Sequence, residues 1–260
     1  MVNRIYAFFK KDALMAAKYK FQLMLSIISI AIYVFAILNF SKAYAISFAS
    51  PLESYLFFLI GYITIDIAST QLNSVPAQVS FYQTTGIIEK LISTNQKTLH
   101  NLIFSNVFPF MLCLLRIVIY SVCSFLMFRI DLDLVTFYVI IFALLCIASS
   151  YLGVGLIAAS FTILFKRGNP IIVLFMAGTA LISGAFYSNS LLPDVLLFIS
   201  EIIPATSSLE LIRNTIATDE LSYFLAGKII LITMTYSIVG YAMLYLSLKQ
   251  AKKNGEIFNY

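Results

Sequence analysis

The sequence predicts an all-α integral membrane protein with six transmembrane helices, and three observations carry that prediction. Hydrophobic residues make up 61% of the 260 and charged residues only 11%, less than half of the roughly 25% usual in soluble domains. Six apolar stretches are long enough to cross a bilayer. The 17 Lys and Arg lie almost entirely between them. So few charges could not cover a soluble sphere of this size, and the same figures exclude disordered, collagen-like and disulfide-scaffold classes. A net charge of +5 would suit nucleic acid, but basic residues set between apolar runs read as topology determinants; no nucleic-acid partner is expected. Cys113, Cys123 and Cys146 sit inside the runs, where an odd number is neither a disulfide framework nor a zinc site.

Residues 1–20 come first. At 100° per residue, Val2, Ile5, Phe8, Phe9, Met15, Ala16 and Tyr19 share one arc, while Arg4, Lys11 and Lys18 stack opposite. That pattern predicts an amphipathic interfacial helix resting on membrane lipid. The first apolar run is followed by Ala43-Tyr44-Ala45, which imitates a signal-peptide cleavage site. A run of nearly 20 residues exceeds a signal core, so the segment is expected to stay. A span needs roughly 20 apolar residues; residues 21–40, 55–73, 102–128, 134–165, 171–187 and 229–248 qualify. Residues 74–101 form the one sizeable loop on the predicted inner side. Residues 191–216 are apolar but broken by Pro193 and Pro204. Each half, at about 12 residues, is too short to cross, so they read as short re-entrant outer helices or as helices lying at the interface. The whole chain, 1–260, is a single transmembrane domain.

Orientation follows from the basic residues. With the N-terminus inside, the inner side holds Arg4, Lys10, Lys11, Lys18, Lys20, Lys90, Lys97, Lys166, Arg167, Lys249, Lys252 and Lys253. The outer side holds only Lys42, Arg129, Arg213 and Lys228. This positive-inside bias predicts a multi-pass plasma-membrane protein with both termini cytoplasmic.

No catalytic chemistry assembles. The chain contains no G-x-x-x-x-G-K-[ST], G-x-G-x-x-G or H-E-x-x-H pattern, and its one histidine, His100, has no second His or Cys near it to hold a metal. No catalytic residue, metal or cofactor is expected in this chain. Any ATP must be bound elsewhere. Asp66 and Arg116 lie deep in the second and third spans, each costing about 2.5–3.5 kcal/mol at a helix centre. They either pair or line a polar path. Counted from the predicted span ends, they stand at about 10 Å and 20 Å depth, a gap that Arg must snorkel to close. Ser149, Gly153, Gly155 and Ala159 permit close helix contact, within the subunit or at a dimer seam. Tyr236, Tyr241 and Tyr245 either anchor the inner half of the last span or face the bundle.

From Gly86 onward, Ile87, Ile88, Leu91 and Ile92 fall at helical spacing with Glu89 and Lys90 opposite. This short cytoplasmic helix offers an apolar ridge to a partner protein or rests on lipid. The stretch Thr85-Gly86-Ile87-Ile88-Glu89-Lys90-Leu91-Ile92-Ser93-Thr94 resembles the coupling helix of ABC transporter permeases of the ABC-2 type. Lys166-Arg167-Gly168-Asn169-Pro170 resembles that family's loop before its fifth span. Ser183-Gly184-Ala185-Phe186-Tyr187, Leu192-Pro193 and Pro204-Ala205-Thr206-Ser207-Ser208-Leu209-Glu210-Leu211-Ile212-Arg213 resemble its outer region. Two departures stand out. The family usually carries charges before the coupling glycine, where this chain has Phe81-Tyr82-Gln83-Thr84, and proline after the final Thr, where it has Asn95.

The resemblance implies the permease subunit of an ATP-binding-cassette exporter. Two such subunits, identical or homologous, would form the path, and a separate cytosolic ATPase binding ATP and Mg would drive it. Gly86, Ile87, Glu89 and Leu91 would couple to that ATPase. Gly184, Phe186, Tyr187, Pro193 and Pro204 would belong to the outer gate. The rival readings are a gradient-driven carrier or channel and a non-transporting membrane subunit.

Overall fold

Runs that are apolar on every face become helices in which only neighbouring helices or lipid can serve as solvent. The computed structural model describes residues 9–11, 14, 18, 20–44, 50–87, 98–128, 133–165, 169–218 and 220–254. Its helices, in chain order, are α1 (Lys20–Tyr44), α2 (Pro51–Thr84), α3 (Thr98–Phe104), α4 (Val107–Phe128), α5 (Leu134–Phe165), α6 (Asn169–Ile182), α7 (Asp194–Ser200), α8 (Pro204–Thr218) and α9 (Tyr223–Asn254). Among the described residues, five spans are long and apolar enough to cross a membrane, α3 and α4 counting as one over Thr98–Phe128. Helices α7 and α8 form a pair bent by 91°. The chain is an all-α, multi-pass membrane protein.

Helix α2 and helix α5 form the centre of the bundle. The most apolar stretches of α2 and α5 are 61% and 50% buried, against 11% for α1 and 17% for α9. The peripheral helices turn Phe21, Ile27, Phe35, Leu126, Leu231 and Ile238 outward, which costs nothing where the surrounding medium is hydrocarbon. Ser50 begins α2 by accepting the Glu53 amide on its hydroxyl at 3.1 Å, with Pro51 at the first helical position, a pairing that satisfies an orphan N–H and presets φ.

The last helix runs six residues beyond the expected span at each end, and two other boundaries differ in ways that bear on the site. Residues 74–84, read as loop, continue α2 to a length of 34 residues, about 51 Å. Val75, Val79 and Tyr82 keep one face of this stretch apolar and buried. These side chains form a second core with Leu99, Leu102, Leu156, Ala159, Leu244 and Leu248, and that packing carries the helix onward. The fifth span, read as 171–187, ends instead at Ile182 and is 14 residues long. About 21 Å of helix is shorter than a hydrocarbon core of about 30 Å. Gly184, at φ 78, adopts the left-handed conformation that stops it.

The small residues of α5 pack within the subunit. A methyl group at Gly153 would stand 2.5 Å from the Tyr236 carbonyl oxygen of α9, and one at Gly240 would stand 2.2 Å from the Gly153 carbonyl oxygen. On the other side, a methyl at Gly155 would lie 2.7 Å from the Gln71 carbonyl oxygen and 3.3 Å from that of Leu72. Leu72 is the residue whose helical partner four positions on is Pro76, which has no N–H to give it. The close approach of α5 therefore occurs where the α2 backbone has a carbonyl to spare. Ser150 adds a hydrogen bond to the Thr233 hydroxyl at 2.9 Å. Gly153→Val or Gly240→Val should cost about 1–3 kcal/mol by overpacking, read as an earlier loss of helical circular dichroism on heating.

Candidate functional site

Three polar places interrupt the apolar bundle, and α2 runs through all of them. At mid-length Arg116 donates from Nε to Asp66 Oδ2 at 2.9 Å and from a terminal nitrogen to Asp66 Oδ1 at 3.0 Å. The same terminal nitrogen donates to the Thr70 hydroxyl at 2.8 Å. Thr70 is one turn beyond Asp66 on the same face, and Tyr62 one turn before it. The tyrosine hydroxyls of Tyr62 and Tyr120 approach to 3.4 Å, and Tyr55 pairs with Ser124 at 2.9 Å. These contacts form antiparallel rungs between α2 and α4. The mismatch in depth expected from the sequence is gone. Asp66 lies 18 residues from the Thr84 end of α2 and Arg116 lies 18 from the Thr98 end of its span, so each stands about 27 Å along. Extension of α2 to Thr84 brings them level. The side chains of Arg116 and Asp66 are 26% and 14% exposed, and a fork-on-fork pair satisfies both charges where water is scarce.

The second place is the end of α2. The Thr84 and Thr85 hydroxyls donate to the Phe81 carbonyl at 3.1 and 2.7 Å, and Gly86 follows at φ 67. This is an αL helix stop, which glycine adopts without steric cost. Among the described residues, nothing lies within 4 Å of where a Cβ would be, so the glycine serves the backbone of the turn. Ile87 and Phe81 are exposed beside it. Glu89 and Leu91 lie outside the described residues, as do most of 1–20 and the 166–168 loop. Where family members usually carry charge, Tyr82 is buried and Gln83 donates to the Thr162 carbonyl at 3.3 Å. Those two residues fasten the end of α2 to α5. Lys11 sits 5.8 Å over the Tyr82 ring, and Phe9 meets Phe108 edge-on at 5.6 Å.

The third place is at the opposite end. Pro193 precedes α7 with φ −59, and Pro204 is the buried first residue of α8. Phe186 is exposed and Tyr187 half-buried. Gly184 is joined by residues that sequence reasoning did not single out as a site. Arg213, on α8, donates to the carbonyls of Gly184 at 2.7 Å and Ala185 at 3.3 Å, and reaches that of Phe57 on α2 at 3.5 Å. Its guanidinium carbon stacks 3.6 Å from the centre of the Phe57 ring. Gly61 permits the contact, because a Cβ there would fall 1.9 Å from the Ala185 oxygen. Arg213 was read from sequence as one of four outer basic residues and as the last residue of the stretch resembling the family's outer region, with no contact assigned to it. The available signal was an arginine whose four-residue neighbourhood, Leu211, Ile212, Thr215 and Ile216, is largely apolar.

Behind this latch lies a cavity of about 430 Å³ whose walls include Asn189, Thr206, Ser207, Glu210, Arg213 and Lys228. Four buried polar atoms on those residues have no partner among the described residues: Asn189 Oδ1, Thr206 Oγ1, Ser207 Oγ and Arg213 Nε, although buried polar atoms usually take one.

The arrangement is thus a pair of stops, one at each end of a continuous helix, with an ion pair between. Comparison with curated proteins finds no match for the chain. The family model described as ABC-2 type transporter matches residues 5–217, a stretch that includes all three places. The chain belongs to the ABC-2 type transporter family, as a multi-pass membrane permease of that kind.

Proposed function

We propose that the chain is the membrane-spanning subunit of an ATP-driven exporter, coupled at its Gly86 end to a separate cytosolic ATPase. The observation that carries this reading is the continuity of α2. One 34-residue helix runs from Ser50 to the turn at Gly86, holding the Gly61 contact with Ala185 near one end and Ile87 exposed at the other. A push on the Gly86 turn is transmitted along α2, past Pro76, to the latch made by Arg213. Gly86, Ile87, Glu89 and Leu91 form the surface offered to the ATPase. Gly184, Phe186, Tyr187, Pro193 and Pro204 form the outer gate. Two copies, or this chain with a homologue, enclose the path, in a plasma membrane with both termini cytoplasmic. ATP and Mg are held by the partner.

A protein with a phosphate loop should co-purify with the full chain, and vesicles containing both should move substrate only with ATP. Gly86→Pro and Glu89→Arg should reduce ATP-dependent transport at least tenfold while the partner's hydrolysis persists. Full transport without any such ATPase, driven by an ion gradient, would establish the carrier reading in its place.

A further inference from the structure

The sole histidine, two tyrosines and two C-terminal lysines, none of which the transport reading uses, line one groove. It lies between α3 and the C-terminal half of α9 and has a volume of about 330 Å³. Tyr241, Tyr245, Leu248, Lys249 and Lys252 recur at spacings of four, three, one and three, which places them within about 100° of arc on one face of α9. His100 contributes from α3. Tyr241 and Tyr245 are 45% and 54% exposed, so their rings stand open to the surroundings of the bundle.

The groove has a direction. Its walls are aromatic and aliphatic toward the bundle's middle and cationic toward the helix end, and among the described residues no carboxylate lines it. From Tyr241 to Lys252 it extends about 16 Å, half of a hydrocarbon core of about 30 Å. That is the depth of one leaflet. A cationic mouth over an apolar, aromatic channel of that length complements an anionic amphiphile, and basic pockets between helices at a membrane face are where anionic headgroups bind. Tyrosine belongs at this level because its ring is apolar and its hydroxyl is wet.

We infer that this groove holds one anionic phospholipid, its phosphate at Lys249 and Lys252 beside His100, its acyl chains along Tyr241, Tyr245 and Leu248. The assignment to the cytoplasmic leaflet rests on the orientation proposed above; the chemistry does not. The ordinary lipid annulus would fill the groove without regard to headgroup. A second copy or the ATPase would shield it from lipid altogether.

The chain has no tryptophan, so Tyr245→Trp installs a single fluorophore in the groove. Purified full-length chain in phosphatidylcholine vesicles should be quenched by brominated phosphatidylglycerol at a lower mole fraction than by brominated phosphatidylcholine. Lys249→Gln and Lys252→Gln should each reduce that preference roughly fivefold, and Lys42→Gln, on α1, should leave it unchanged. Equal quenching by the two lipids would overturn the inference, and so would insensitivity to both. Tyr241→Trp serves as a second probe if circular dichroism shows the first variant misfolded. No ATPase is present in these vesicles, so a negative result leaves the transport reading where it stands.

Discussion

Asp66→Asn should destabilise the chain by about 3 kcal/mol, and Arg116→Gln by a similar amount. Each leaves a group without its partner at mid-bundle, where truncating one member of a buried pair costs about 3–5 kcal/mol and partial exposure of the Arg116 side chain brings the figure toward the lower bound. Unfolding by sodium dodecyl sulfate, followed by circular dichroism, measures it. Exchanging the charges, Asp66→Arg with Arg116→Asp, should recover most of the loss; a double variant no better than either single one would refute pairing as the cause. Asp66→Leu with Arg116→Met then separates structure from transport. An apolar pair of similar volume is often as stable as the ion pair it replaces. Retained transport in that variant would make the pair a brace between α2 and α4, whereas stable but inactive protein would place it on the substrate path.

Arg213→Ala is the second large effect, about 3 kcal/mol, from loss of charge-assisted bonds to the Gly184 and Ala185 carbonyls. Arg213→Lys should recover little, because an ammonium cannot span several carbonyls and stack on Phe57 at once. Limited proteolysis between residues 183 and 193 should accelerate in both variants. Gly61→Ala should reproduce the opening without touching a charge, since its methyl would collide with the Ala185 oxygen. Unchanged proteolysis in Gly61→Ala would mean that the turn is held by something other than its contact with α2.

Hydrophobicity located most helices to within a few residues, and α5 at Leu134–Phe165 to the residue. It did so because a helix in lipid must satisfy every backbone group internally, so length and apolarity alone decide where one can stand. Proline did the same for the broken pair: Pro193 and Pro204 mark the starts of α7 and α8. Failures came at helix ends. The continuation of α2 past Asn73 depends on Val75, Val79 and Tyr82 meeting a core from α3, α5 and α9, and a window of hydropathy sees composition, not neighbours.

The same division holds for the site. Asp66 and Arg116 announced themselves as charges in apolar runs, and Gly86 as a glycine before an amphipathic stretch. Their cost in a low-dielectric medium is a property of residue type, so the linear chain displays it. The roles of Arg213, Gly61 and Asn189 are not of that kind. A guanidinium that clamps two carbonyls 28 and 29 residues away, and a glycine that admits the oxygen of a residue more than 100 positions on, are defined by distances between separate segments. Charge and apolarity established the class, the membrane and the helices. Which charges meet, at what depth, and which turn is latched to which helix follow from packing, because the register between two helices is set by the side chains that interlock and not by either helix alone.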